Sequence, residues 1–180
     1  MMMTENEIRE RALEAGFTNA VFLNTSELVF DAALREYCVM NTCGNYDRNY
    51  ACPPDCGTSE EMEAKVKSFQ RALVLQTIQP VDSIMDEEQT KEARKAHNMI
   101  SREFLELMED NGIQGKFIMA GPCTVCGVCA KIEGKPCRFP KQIASCLSAY
   151  CIDAGKMAEY CGLPYWCGME AVPFFSVFLI

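Results

Sequence analysis

Four cysteines in the run Cys123-Thr-Val-Cys126-Gly-Val-Cys129, closed by Cys137-Arg-Phe-Pro140, carry the clearest chemical signal in this chain. Three thiols at successive x₂ spacings on one short turn can all be aimed at a single point. Thiolate sulfur is a soft, anionic donor suited to zinc, copper(I) and iron–sulfur centres. Cys137 follows after a longer gap, with a proline shortly beyond it, and completes a set of four. The chemistry expected of these residues is metal coordination.

The spacing also bears on which metal. A C-x₂-C-x₂-C-x₃-C-P run holds a [4Fe–4S] cluster in bacterial-type ferredoxins; here the last gap is longer. Structural zinc usually draws on two separated cysteine pairs. Three sulfurs on one turn therefore suit three corners of a [4Fe–4S] cluster better than one tetrahedral ion. Iron–sulfur is the reading, and zinc is the alternative. A second group, Cys38, Cys43, Cys52 and Cys56, lies in a stretch rich in turn formers (Asn41, Gly44, Asn45, Asn49, Pro53, Pro54, Gly57). Almost nothing else apolar lies there, so these thiols are read as ligands rather than core. The two prolines after Cys52 fix φ and remove two N–H donors, which stiffens the turn. For this second site iron–sulfur and zinc stand even. How the eight thiols divide is open, because in two-cluster ferredoxins the fourth cysteine of a run serves the other cluster.

Other chemistries fit less well. A radical-SAM C-x₃-C-x₂-C is not present, since Cys56 has no cysteine at the needed spacing after it. Overlapping C-x₂-C pairs point to coordination rather than disulfide exchange. Hydrolytic zinc sites usually include histidine; the one histidine, His97, is read as a surface or half-buried helix residue. No G-x-S-x-G, P-loop or G-x-G-x-x-G is found, so no catalytic constellation is visible, and any enzymatic role would be cluster-dependent redox chemistry on an open iron site. Lys131, Lys135, Arg138 and Lys141 surround the Cys123–Cys137 run; they offset thiolate charge, raise a cluster's potential or bind a small anion. Tyr165 and Trp166 are read as core aromatics and Cys161 and Cys167 as buried thiols.

With 180 residues and 49% apolar content, the chain can bury a core without crosslinks, and a single domain over 1–180 is expected. Twelve cysteines thus need a reason other than stapling. MMMTENEIRERALEAG shows no secretory pattern, and no stretch reaches the ~18 apolar residues of a membrane span. A reducing, cytoplasmic setting with metal thiolates is expected over a disulfide framework. A net charge of −8 disfavours nucleic-acid binding. Such a surface suits an electron carrier docking a redox partner protein, although solubility alone explains it as well.

The elements that must position these thiols read as follows. Thr4-x-x-Glu7 and Thr58-x-x-Glu61 are capping boxes that open helices ending at Gly16 and near Phe69. Helical spacing continues over 26–37, 142–150 and 152–160, and most clearly over 86–111 through Ala93, Ala96, Ile100, Phe104 and Leu107. Strands are expected at 20–23, 71–78, 116–120 and 171–180. The fold class is α/β or α+β, with a single sheet of about four strands flanked by helices and the two cysteine turns projecting from it.

The combination of a cysteine-rich turn ending in Cys52-Pro-Pro with Gly121-Pro-Cys-x₂-Cys-x₂-Cys and Pro136-Cys-Arg-Phe-Pro140 resembles a bacterial and archaeal family of predicted metal-binding, cysteine-rich proteins of unknown function. The likeness extends over nearly the whole chain, including Leu163-Pro164-Tyr165. It implies metal or iron–sulfur binding at Cys123, Cys126, Cys129 and Cys137 and at Cys38, Cys43 and Cys52, with no established reaction. Cys56 is not required by that pattern. Asp47 departs from the Tyr-Gly expected after Tyr46, and Cys146, Cys151, Cys161 and Cys167 stand where the family more often has small residues.

Overall fold

A computed structural model describes residues 3–180, so the first two residues of the N-terminal segment lie outside it. The Thr4 hydroxyl accepts from the Glu7 N–H while the Glu7 carboxylate accepts from the Thr4 N–H, starting helix α1 (Glu5–Ala15). Strand β1 (Asn19–Asn24) follows. The helix expected over 26–37 is not formed. Two isolated 3₁₀ turns stand there instead, because Phe30 leaves the helical course to pair with Ile152 and Asp31 caps a new turn at Ala33. Helix α2 is correspondingly short (Arg35–Met40). Helix α3 (Ser59–Lys67) opens on the Thr58/Glu61 capping box, and β2 (Arg71–Pro80) runs out of it. Helix α4 (Glu87–Asp110) starts where the Asp86 carboxylate accepts from the Glu88 and Gln89 N–H groups. Strand β3 (Lys116–Ile118), helix α5 (Ala154–Tyr160) and strand β4 (Ala171–Leu179) complete the chain. The helix expected over 142–150 is replaced by turns, because Met119 pairs with Cys146 and its N–H reaches the Ser145 carbonyl (3.0 Å).

The sheet order is β1-β2-β4-β3 with every pair antiparallel, so of the two classes expected the fold is α+β. Alternation along β2 decides the layering. Ala72 and Val74 face α3, α5 and the 145–152 turns, where Met62, Val66, Tyr150 and Met157 are buried. Leu73 and Leu75 face α1 and α4, where Ile8, Ala12, Phe104 and Met108 are buried. A strand covered on both faces reads as a continuous apolar run, as Ala-Leu-Val-Leu does. Phe117 and Phe178 stack (5.1 Å) and present their flank to the edge of Phe104. Gly115 makes this possible: a Cβ there would overlap the Phe178 ring and the Leu179 carbonyl oxygen.

A polar seam crosses the α4 side of the sheet. His97 is fully buried, not at the surface, because Thr77 receives it: Thr77 Oγ1 lies 2.8 Å from His97 Nδ1. Ser101 donates to the His97 carbonyl (2.9 Å) and lies 3.1 Å from Ser176 Oγ. Burial pushes the His97 imidazole down to about 4, and its Nε2 has no hydrogen-bond partner. A folded-state value below the unfolded one, about 6.5, means that stability is fully present above pH ~6.5. It declines as the pH falls towards 4. The span corresponds to about 3 kcal/mol. Urea unfolding at pH 7.5 and pH 4.5 should show that loss, and the acid-sensitive increment should shrink in His97→Leu. An unchanged difference between the two pH values would exclude His97 as its source.

Candidate metal centre

Met119 and Ala120 bring the chain from β3 to the second cysteine run. Asn98 on α4 grips Ala120 from both sides, donating to its carbonyl (2.7 Å) and accepting from its N–H (3.0 Å). Gly121 follows at φ 74, a left-handed conformation, with the Arg94 side chain packed against it. A side chain there would meet both strain and the arginine. The run then turns so that Cys123, Cys126, Cys129 and Cys137 all line one small cavity, closed by Asn49, Tyr50 and Ala51 of the first turn and by Phe139. All four thiols are partly exposed. Sequence spacing grouped these four, and the structure places them on a common hollow.

The first turn is brought against the second by specific bonds. Asn49 donates to the Cys123 carbonyl (2.9 Å) and accepts from the Ala51 N–H (3.0 Å). Tyr50 OH donates to the Lys135 carbonyl (2.8 Å). Lys131 reaches across to the carboxylates of Asp47 (3.0 Å) and Asp55, and its ammonium lies over the Tyr50 ring. These bonds hold its charged form and raise its pKa, Asp55 contributing most. Of the basic residues expected to offset thiolate charge, Lys131 therefore pairs with the first turn. Lys135 and Arg138 pair with Glu133, and Arg138 also donates to the Val128 carbonyl (2.8 Å). Asp47, the departure from the expected glycine, sits at φ 55, the conformation a glycine favours and an aspartate tolerates. Its carboxylate is half of the Lys131 bridge. The Pro53–Pro54 peptide is cis, and Cys52 beside it is buried.

Cys38, Cys43, Cys52 and Cys56 are near enough to act on one another electrostatically, and Cys146 joins them. Burial first, then the neighbouring Cys146, pushes the Cys38 thiol up to about 11 and that of Cys52 to about 12. Cys56 is also raised by burial, with Arg35 opposing. The Arg35 guanidinium bonds the Ala149 carbonyl (2.7 Å) and the Gly57 carbonyl (2.8 Å) and lies 3.6 Å from Cys56 Sγ. Sequence reading missed Cys146, Arg35 and Asn49. No spacing rule links Cys146 to the first turn, and only its pairing with Met119 delivers it there. Asn49 did carry a signal, as a polar residue just ahead of Cys52-Pro-Pro.

All twelve cysteines are free thiols. Cys151 is buried, whereas Cys161 and Cys167 are partly exposed rather than buried. Tyr165 and Trp166 are exposed (59% and 64%) rather than core, since β4 begins only at Ala171; Tyr165 stacks on Phe175 from outside. Among the described residues, no three His, Cys, Asp or Glu side chains form a group that could hold a single metal ion. No helix among them is long and apolar enough to cross a membrane.

Compared with known families, residues 6–180 match the model of DUF2284, described as a predicted metal-binding protein. The chain belongs to this family. The match covers both cysteine turns, all four strands and the five helices from Asn6 onward, so the DUF2284 likeness is to the whole fold rather than to one motif. No curated protein and no solved structure matches the chain.

Proposed function

We propose that this DUF2284 protein carries a [4Fe–4S] cluster on Cys123, Cys126, Cys129 and Cys137. The proposal adds a second metal centre on the first turn, drawn from Cys38, Cys43, Cys52 and Cys56, and a role in passing electrons to a partner protein in the reducing cytoplasm. The observation that carries the reading is the single small cavity lined by all four thiols of the second run. The donor set fits the group: four sulfurs and no histidine or carboxylate line that cavity. Around one zinc, Zn–S bonds of about 2.3 Å draw sulfurs to within about 3.8 Å of each other. A cluster takes one thiolate at each iron, and the four thiols that share this hollow supply that number.

Bound there, a cluster supplies a one-electron couple. The protein's own residues supply the rest. Asn49 and Tyr50 cover the cavity from the first turn, limiting water at the sulfurs. Lys131 places a cation between the two turns. Val128, Ile132 and Phe139 leave apolar side chains exposed around the second run, a surface on which a redox partner could come close to the thiols.

Anaerobic purification followed by iron, sulfide and zinc analysis tests the reading. The expected protein is brown, contains iron with acid-labile sulfide, and bleaches on adding dithionite. A colourless protein with tightly held zinc in both turns would sink the electron-transfer role and leave a zinc-stabilised interaction module.

A further inference from the structure

A cleft of about 860 Å³ opens beside the first cysteine turn rather than at the thiol cavity. Helix α3, helix α4, strand β3 and the 140–145 segment wall it in, and Cys56 and Tyr50 come from the first turn. Its floor is apolar: Met62, Phe117 and Met119 line it although each is almost wholly buried, and Phe69 flanks them. Three lysines line the cleft, Lys65, Lys116 and Lys141. Lys65 donates to the Cys56 carbonyl (3.0 Å), and Lys116 projects from the edge strand, half-buried.

The charges around these two groups do not balance locally. Lys116 has no carboxylate partner among the described residues, and the charged group that acts on it is Lys65. Of the acidic groups in the cleft wall, Asp55 is engaged by Lys131, while Glu106 and Glu109 lie exposed on α4 beside Arg102. Lys65 and Lys116 both line the cleft, and an anion placed between them would be attracted by both. A cleft of this volume, with charged groups and apolar side chains both in its lining, can take a small amphipathic molecule.

We propose that this cleft binds a small organic carboxylate, its carboxylate between Lys65 and Lys116 and its carbon skeleton against Phe69, Phe117 and Met119. Cys56 lies in the same wall, so a bound acid sits next to the first cysteine turn. A free phosphate would answer the lysines equally but would leave the apolar floor wet. The acid site is independent of what the thiols hold.

The test is calorimetric titration of the anaerobically purified protein with 3-phenylpropionate, its uncharged amide 3-phenylpropanamide, and inorganic phosphate. Metal content is measured on the same samples, so that a failure of the metal assignment is read separately. Saturable binding of the acid is expected. The amide and Lys116→Met should each weaken it by about tenfold or more. Lys116→Arg should retain binding, and Glu109→Gln should not weaken it. Melting curves of each variant establish that it is folded. No saturable binding below about 10 mM, equal binding of acid and amide, phosphate binding as tightly as the acid, or undiminished binding by folded Lys116→Met would each overturn the proposal.

Discussion

On the proposed reading, Cys126→Ala is expected to strip anaerobically purified protein of the iron and acid-labile sulfide held by the Cys123–Cys137 run. Cys126 is the middle thiol of the run and lines the shared cavity with Cys123, Cys129 and Cys137, so its loss would open one side of the proposed ligand ring. Coordination free energy is coupled to folding free energy, on the order of 10 kcal/mol or more for a structural metal. Even if about 3–5 kcal/mol of that is lost, Tm should fall by roughly 10 °C. Cys161→Ala is the matched control. Its thiol does not line the cavity and is acted on by Glu27, and metal content should not change. Equal metal in the two variants would remove Cys126 from the ligand set.

Asn98→Ala should be nearly as damaging, although the residue is on a helix and touches no sulfur. The amide side chain satisfies both the N–H and the carbonyl of Ala120, which are buried. Removing it strands two backbone groups, at about 1–3 kcal/mol each, giving a loss of roughly 2–6 kcal/mol. Because Ala120 is the last anchored residue before Gly121-Pro122-Cys123, metal retention should fall as well. Chemical denaturation measures the first effect and competition with a chelator the second. A variant that loses stability but holds metal like the parent would show that the grip serves folding only.

How much of this was legible in sequence varies by the kind of information each element needs. Helices α1, α3 and α4 announce themselves through local chemistry, Thr4/Glu7, Thr58/Glu61 and Asp86 each satisfying free N–H groups within one turn. The four strands were found from their apolar runs, and the four clustered thiols of the second run from their spacing. What failed depends on distant partners. The 26–37 segment has helical spacing, but Phe30 is drawn into a bridge with Ile152. The 142–150 segment is likewise unwound by Met119. The histidine was misplaced because its acceptance into the core depends on Thr77 from another element. Cys146 was missed for the same reason, since its association with the first turn is tertiary. Trp166 and Tyr165 look like core residues by type, and only the late start of β4 leaves them outside.

The twofold grip of Lys131, whose side chain is 18% exposed, has a bearing on how the protein matures. Its two carboxylates lie on the first turn and its own backbone lies in the second, so neither turn can swing open without straining the other. On the proposed reading, delivery of inorganic cargo would concern both turns at once, and the empty polypeptide should present them as one loosened region. Limited proteolysis of metal-free protein would then nick near Asp47 and near Lys131 with the same time course, and loading would protect both together.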